Sequence, residues 1–265
     1  MRVFATLVRR HLARLSADRT TLIAVALAAA AALFGALATA FSVNVAPGGS
    51  VGLGARVRAG AWDDGTALFN VLVFVLCIQL GASHVSTELR RGTLFSWLAR
   101  PLARGTWTLA SWTAAALLVL GLEAARSGII YATCWWIDGS PPSGMLLGAV
   151  VLAAGSLLVL SMVFAIAAAA PAPYAVAVGL AAYLLGNLAW QGVLRGVGKA
   201  GVMELGAMLL PLFARHAETV RHALIGTEVN APQLVWVLTY RLGWTVFLLS
   251  LAVLAFSHRD LSPRG

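Results

Sequence analysis

Charge is what this sequence has least of. Of its 265 residues only 11% are Asp, Glu, Lys or Arg, about half the share of a soluble globular domain. With 60% of residues hydrophobic and a mean hydropathy of +0.86, disorder is excluded. Cysteine is nearly absent as well. Cys77 and Cys134 are the two present; they lack metal-ligand spacing and cannot form a disulfide framework, so they are read as unpaired packing thiols. Lysine occurs once, as Lys199. The alternating ten-residue strands of a membrane β-barrel are missing too.

What is present is a series of apolar runs near 20 residues, the length that crosses a hydrocarbon core as a helix. The fold class read from this pattern is an all-α membrane protein: an amphipathic elbow helix and six transmembrane helices around one core. Residues 1–19 form the elbow. Val3, Phe4, Leu7, Val8, Leu12 and Leu15 share one helical face and Arg2, Arg9, Arg10 and Arg14 the other, as expected of a helix lying in the membrane interface. The spans are expected at about 21–41, 66–83, 107–136, 144–170, 174–193 and 233–256. The first is too long for a signal-peptide core and is read as uncleaved. Asp18 and Thr20 offer caps where it begins. The third is too long for a ~30 Å core, so it tilts, kinks or protrudes. Residues 194–232 form an outer helical segment, a candidate for membrane re-entry near Pro211.

The net charge of +9 follows from 19 basic and 10 acidic residues. These basic residues flank apolar segments, which fits the basic inner loops of membrane proteins and argues against nucleic acid as a partner. Segments 1–20, 84–105 and 257–265 hold eleven Arg and three acids. Segments 42–65, 137–143 and 194–232 hold six basic residues and six acids. The excess places both termini and the 84–105 insert in the cytoplasm. Seven tryptophans fall mostly near span ends (Trp62, Trp107, Trp112, Trp135, Trp136, Trp190 and Trp236), where an aromatic belt at the membrane interface accounts for them.

Catalytic constellations fail on inspection. Gly196-Val197-Gly198-Lys199-Ala200 lacks the first glycine and the final hydroxyl of a phosphate-binding loop. Ser83-His84 are neighbours on one helix and do not face each other, so they make no nucleophile–base pair. Asp63-Asp64 before a glycine reads as a turn or cap. No catalytic residue, metal site or cofactor is expected in this chain. Glu123 and Arg126 are different: at i, i+3 inside a span they share a face and can pair, in the outer leaflet ~24–28 Å from Trp107. Together with Arg241, Asn70 and Gln79 they are candidates for lining a translocation path. A structural ion pair that fixes helix packing is the other reading.

The charged insert 84–105 reads as a short helix along the membrane. Ser86 or Thr87 caps it, Glu88 stands in its first turn, Gly92 hinges it, and Leu94, Phe95, Trp97 and Leu98 form its apolar side before Arg100-Pro101. Glu88-(x3)-Gly92-Thr93-Leu94-(x3)-Leu98-(x2)-Pro101-(x2)-Arg104 resembles the cytoplasmic loop of type-2 ABC exporter permeases. So do the elbow, the six spans and the Phe256…Arg259-Asp260-Leu261 ending. The small permeases of copper-enzyme maturation, sodium export and bacteriocin immunity are similar. The chain departs from many of them in having only His84, and no acid, across Ser83–Thr87. The resemblance implies a permease subunit, not itself an enzyme, in a bacterial or archaeal cytoplasmic membrane. It would pair with a second permease, as a homodimer or as a heterodimer with a sibling, and dock two ABC ATPase subunits, which would hold ATP and Mg. Glu88, Arg90, Arg91, Thr93, Leu94, Phe95 and Arg100 would make the ATPase contact, Gly92 and Pro101 would set its shape, and Arg104 would anchor span three. The alternative is a non-transporting membrane scaffold that transmits ATPase-driven mechanical signals.

Overall fold

The computed structural model describes residues 2–45, 69–82, 104–139, 144–190 and 231–258, with backbone alone for 34–45, 134, 137–138 and 182–190. The described residues form helices and no strands. In chain order they are α1 (Arg2–Ala17), α2 (Arg19–Val45), α3 (Phe69–Ala82), α4 (Arg104–Asp138), α5 (Met145–Ala169), α6 (Ala172–Trp190) and α7 (Ala231–His258). Three are long and apolar enough to cross a membrane: α4, α5 and α7. A fourth span results if α1 and α2, bent by 76° at their junction, are counted together. Helices α3 and α6 are apolar but shorter over their described stretches. The chain is an all-α membrane protein.

Each break has a local cause. Asp18 separates α1 from α2 and caps the latter. Its carboxylate accepts the Thr21 backbone N–H at 3.1 Å and the Thr21 hydroxyl at 2.9 Å, and also the Thr20 hydroxyl. The Thr20 hydrogen bond is the main reason the Asp18 carboxyl lies below its usual range. Helix α4 stops where Gly139 turns to φ +72°, donating its N–H to the Trp135 carbonyl at 2.9 Å. Between α5 and α6, Pro171 forces Ala170 into extended backbone (φ −125°, ψ 162°).

Small residues set the closest helix approaches. A Cβ on Gly81 of α3 would lie 2.6 Å from Val163 Cγ1 on α5, and one on Gly179 of α6 would lie 3.2 Å from its Cγ2. Val163 thus fills the space between two glycine faces, a packing mode that serves lipid-embedded helices, which gain little from hydrophobicity alone. Trp112 of α4 donates its indole N–H to Ser161 of α5 at 3.0 Å.

At one end of the bundle, α1 packs on the start of α4, which in turn meets the end of α7. Leu7 and His11, one turn apart, are its buried residues, while Arg9 and Arg10 are exposed. His11 meets Trp107 edge-on at 5.7 Å, Trp107 stacks on Phe256 at 5.2 Å, and Arg104 donates to the Ser257 carbonyl at 3.2 Å. Ala168 joins this cluster. Since Gly81 lies against Val163 and Phe164, the end of α3 is at the same end as the end of α5. The end of α3 and the start of α4 therefore stand at the same end of the bundle. Two of the tryptophans assigned to an interfacial belt prove to be internal. Trp107 is buried because α1 covers it, and Trp112 is half-buried and hydrogen-bonded across the bundle. Trp135, Trp136 and Trp236 are exposed as a belt requires.

Burial holds the His11 imidazole down at about 4, with Arg14 and Arg10 adding to the effect. A chain released from this packing takes up the proton near 6.5, so docking of α1 is fully stabilised above pH 6.5 and weakens as pH falls toward 4. At ~1.4 kcal/mol per pH unit the loss is roughly 3 kcal/mol. Hydrogen exchange of the α1 amides should accelerate across this window in wild type, and His11→Phe should flatten the dependence. In a separate test of packing, Gly81→Val should lower thermal stability by roughly 1–3 kcal/mol or more by forcing α3 off Val163. The companion change Val163→Ala should restore part of the loss in the same melting experiment.

Candidate functional site

Three helices contribute side chains to a buried polar layer, and a fourth adjoins it. Glu123 and Arg126 stand one turn apart on α4, where i, i+3 spacing puts them on one face. Their ion pair closes at 2.8 Å, with the side chains 3% and 2% exposed. From α5, the Ser156 hydroxyl donates to the second carboxylate oxygen of Glu123 at 2.6 Å. From the start of α3, the Asn70 carbonyl oxygen accepts from Arg126 Nη1 at 3.4 Å, and the Phe69 ring lies under the guanidinium at 4.9 Å. Cys77, buried and free, directs its thiol at the Ser156 carbonyl at 3.7 Å.

Arg241 of α7 reaches the same wall of α5 from the other side. It is 5% exposed and donates from Nη1 to the Val151 carbonyl at 2.5 Å. Gly155 makes this possible, because a Cβ there would stand 2.9 Å from Arg241 Nη1. Arg241 lies within electrostatic reach of Glu123. Glu123 is thus paired with Arg126 and lies within electrostatic reach of Arg241 on another helix.

Of the five residues proposed to line a path, Glu123, Arg126 and Asn70 make contact, and Arg241 lies within electrostatic reach. Gln79 does not join them: nine residues beyond Asn70, it lies ~13 Å further along α3 and is half-buried. Sequence reasoning did not identify Phe69, Gly155 or Ser156. The Gly155-Ser156 pair inside an otherwise apolar run was the available signal, since polar and small residues within spans tend to face other helices. The insert residues Glu88, Arg90, Arg91, Gly92, Thr93, Leu94, Phe95, Arg100 and Pro101 lie outside the described residues. Arg104, at the insert's end, is held by the Ser257 carbonyl.

Chemically, the layer stores charge. Its hydroxyl faces a carboxylate, and the described histidines, His11 and His258, lie at the opposite end of α4 and at the end of α7. Among the described residues no group of three His, Cys, Asp or Glu could hold a metal ion. Separately, Trp236, Tyr240, Trp244 and Phe247 form a ladder on the exposed face of α7, with ring centroids 5.6–6.4 Å apart. With Thr239 and Gly243 they line an open groove of about 510 Å³. Lipid is the neighbour such a face meets in a membrane.

No known family matches this sequence, and no curated protein matches it.

Removing one partner from a buried ion pair leaves an uncompensated charge, typically at a cost of 3–5 kcal/mol. Glu123→Gln should therefore lower the melting temperature of the detergent-solubilised chain sharply. Glu123→Gln combined with Arg126→Gln should be milder than the sum of the two single changes. Additive losses would mean that the two charges do not act as a pair.

Proposed function

We propose that this chain is a permease subunit of an ABC exporter, with six spans, both termini in the cytoplasm, and the power stroke supplied by a separate ATPase. The observation that carries the reading is that α1 and the two helix ends that bracket the insert stand at one end of the bundle. Helix α1 lies at 76° to α2 and packs on the start of α4. The insert bearing Glu88…Gly92-Thr93-Leu94…Pro101…Arg104 joins α3 to that same α4. A partner that moved the insert would pull directly on the helix to which α1 is clamped.

In this reading ATP binding closes a pair of ATPase subunits under a permease dimer. The insert and α1 move together, and the spans change their packing around a path at the dimer interface. Coupling then means that the ATPase binds one arrangement of the permease more tightly than the other. The basic excess of the segments 1–20, 84–105 and 257–265 supports the cytoplasmic assignment of this end. The polar layer on α3, α4, α5 and α7 lies beyond the middle of α4, away from the insert. There it would hold the bundle's packing or bias it between two arrangements.

Copurification tests the docking. Wild-type chain should bring down an ATPase carrying a phosphate-binding loop and stimulate its turnover. Glu88→Ala combined with Leu94→Ala should remove both effects while leaving the melting temperature of the permease unchanged. An intact complex with unchanged stimulation would sink the assignment of the insert as the docking element.

A further inference from the structure

The arginines of the elbow do not share one side of it. On α1, Leu7 and His11 are buried against the bundle. At ~100° per residue, Phe4, Val8 and Leu12 follow on one flank and are half-buried. Arg9 comes next round the helix, exposed and on the side away from the bundle, while Arg10 lies beyond it toward the opposite flank. Arg9 thus borders the apolar flank, and Arg10 does not.

Arg19 opens α2 in a similar setting. It is exposed, and Leu22, Ile23 and Leu27 follow on its face at i+3, i+4 and i+8, each about half exposed or more (49%, 60% and 53%). The buried residues of α2, namely Thr21, Ala28, Ala31 and Ala32, lie on the other side. A guanidinium therefore heads an apolar stripe that turns away from the protein. In a membrane, acyl chains run along such a stripe and a headgroup stands at its charged end. The 76° bend between the two helices carries α1 across the head of this stripe, along the surface that α2 enters. Residues 1–20 hold five Arg and one acid, Asp18, whose carboxylate is taken by Thr20 and Thr21.

We propose that Arg9 and Arg19 are contact points for acidic phospholipid headgroups, so that the elbow binds an anionic leaflet more tightly than a zwitterionic one. Each guanidinium takes its own phosphate: the two stand ten residues apart on different helices, and no shared pocket is needed. Lipid held at α1 reaches the bundle through His11 and Trp107, and so steadies the start of α4. A lipid surface fits better than an acidic protein, because both residues adjoin apolar side chains that face away from the bundle core. The contact depends neither on an ATPase partner nor on which side of the membrane this end occupies.

The test is hydrogen exchange of the α1 amides in the full chain. It is reconstituted in nanodiscs of phosphatidylcholine alone, or of phosphatidylcholine and phosphatidylglycerol at three to one, at a pH of about 7.5, where the His11 imidazole is neutral. Exchange should slow about tenfold or more in the acidic discs, and high salt should shrink the difference. Arg9→Gln combined with Arg19→Gln should remove the difference while leaving exchange in phosphatidylcholine unchanged. Arg10→Gln should retain most of it. Equal exchange in the two discs for wild type would overturn the assignment, and so would a difference that survives in the Arg9, Arg19 double variant. A difference lost with Arg10→Gln alone would also overturn it, since that is the pattern of a basic face turned to water and to an acidic protein.

Discussion

The interaction on which the bundle depends is the pairing of Glu123 with Arg126, 2.8 Å apart in a nearly water-free interior. Neither residue could be buried alone at an acceptable cost. Together they still need donors and acceptors from other helices, and that requirement fixes which helices approach. Ser156 brings α5 to one carboxylate oxygen, Asn70 brings α3 to the guanidinium, and Arg241 brings α7 to the backbone of α5. Apolar helices in lipid have little else to choose a register by, because one greasy face resembles another. A few polar contacts and the close approaches at Gly81, Gly155 and Gly179 therefore do most of the specifying.

At the other end of α4 the same helix is held by different chemistry. Trp107 is enclosed between His11 and Phe256, and Arg104 ties the start of α4 to the end of α7. The elbow helix is thus clamped to the core of the bundle and does not merely float beside it. Its buried contact is an imidazole set edge-on to an indole, while Arg9 and Arg10 are exposed. A segment pulling on the start of α4 would be felt by α1 at once, through Trp107, and by the polar layer through the rigid helix between them.

Composition made the fold class legible, and i, i+3 spacing made the Glu123–Arg126 pair legible. Asp18 could be read as a cap because its side-chain chemistry acts within three residues. Ser156, Gly155 and Phe69 could not be read the same way. Their roles depend on which helices face each other, and helices apolar around their whole circumference carry no periodicity that says so. Trp107 misled for a related reason: a tryptophan at a span end looks like an interfacial anchor until another helix is known to cover it. Gln79 was grouped with Asn70 because both are polar and on one helix, but ~13 Å of helix separates them.

The central claim is that Glu123, paired with Arg126, also lies within electrostatic reach of Arg241 on another helix. A double-mutant cycle between Glu123 and Arg241 measures this most directly, because the two make no hydrogen bond to each other and can couple only through charge. Melting of Glu123→Gln, Arg241→Gln and the double variant should give a coupling energy of about 1 kcal/mol or more, with the double variant less damaged than the sum of the singles. Losses that add to within about 0.5 kcal/mol would show that Arg241 is independent of Glu123, and would contradict the account.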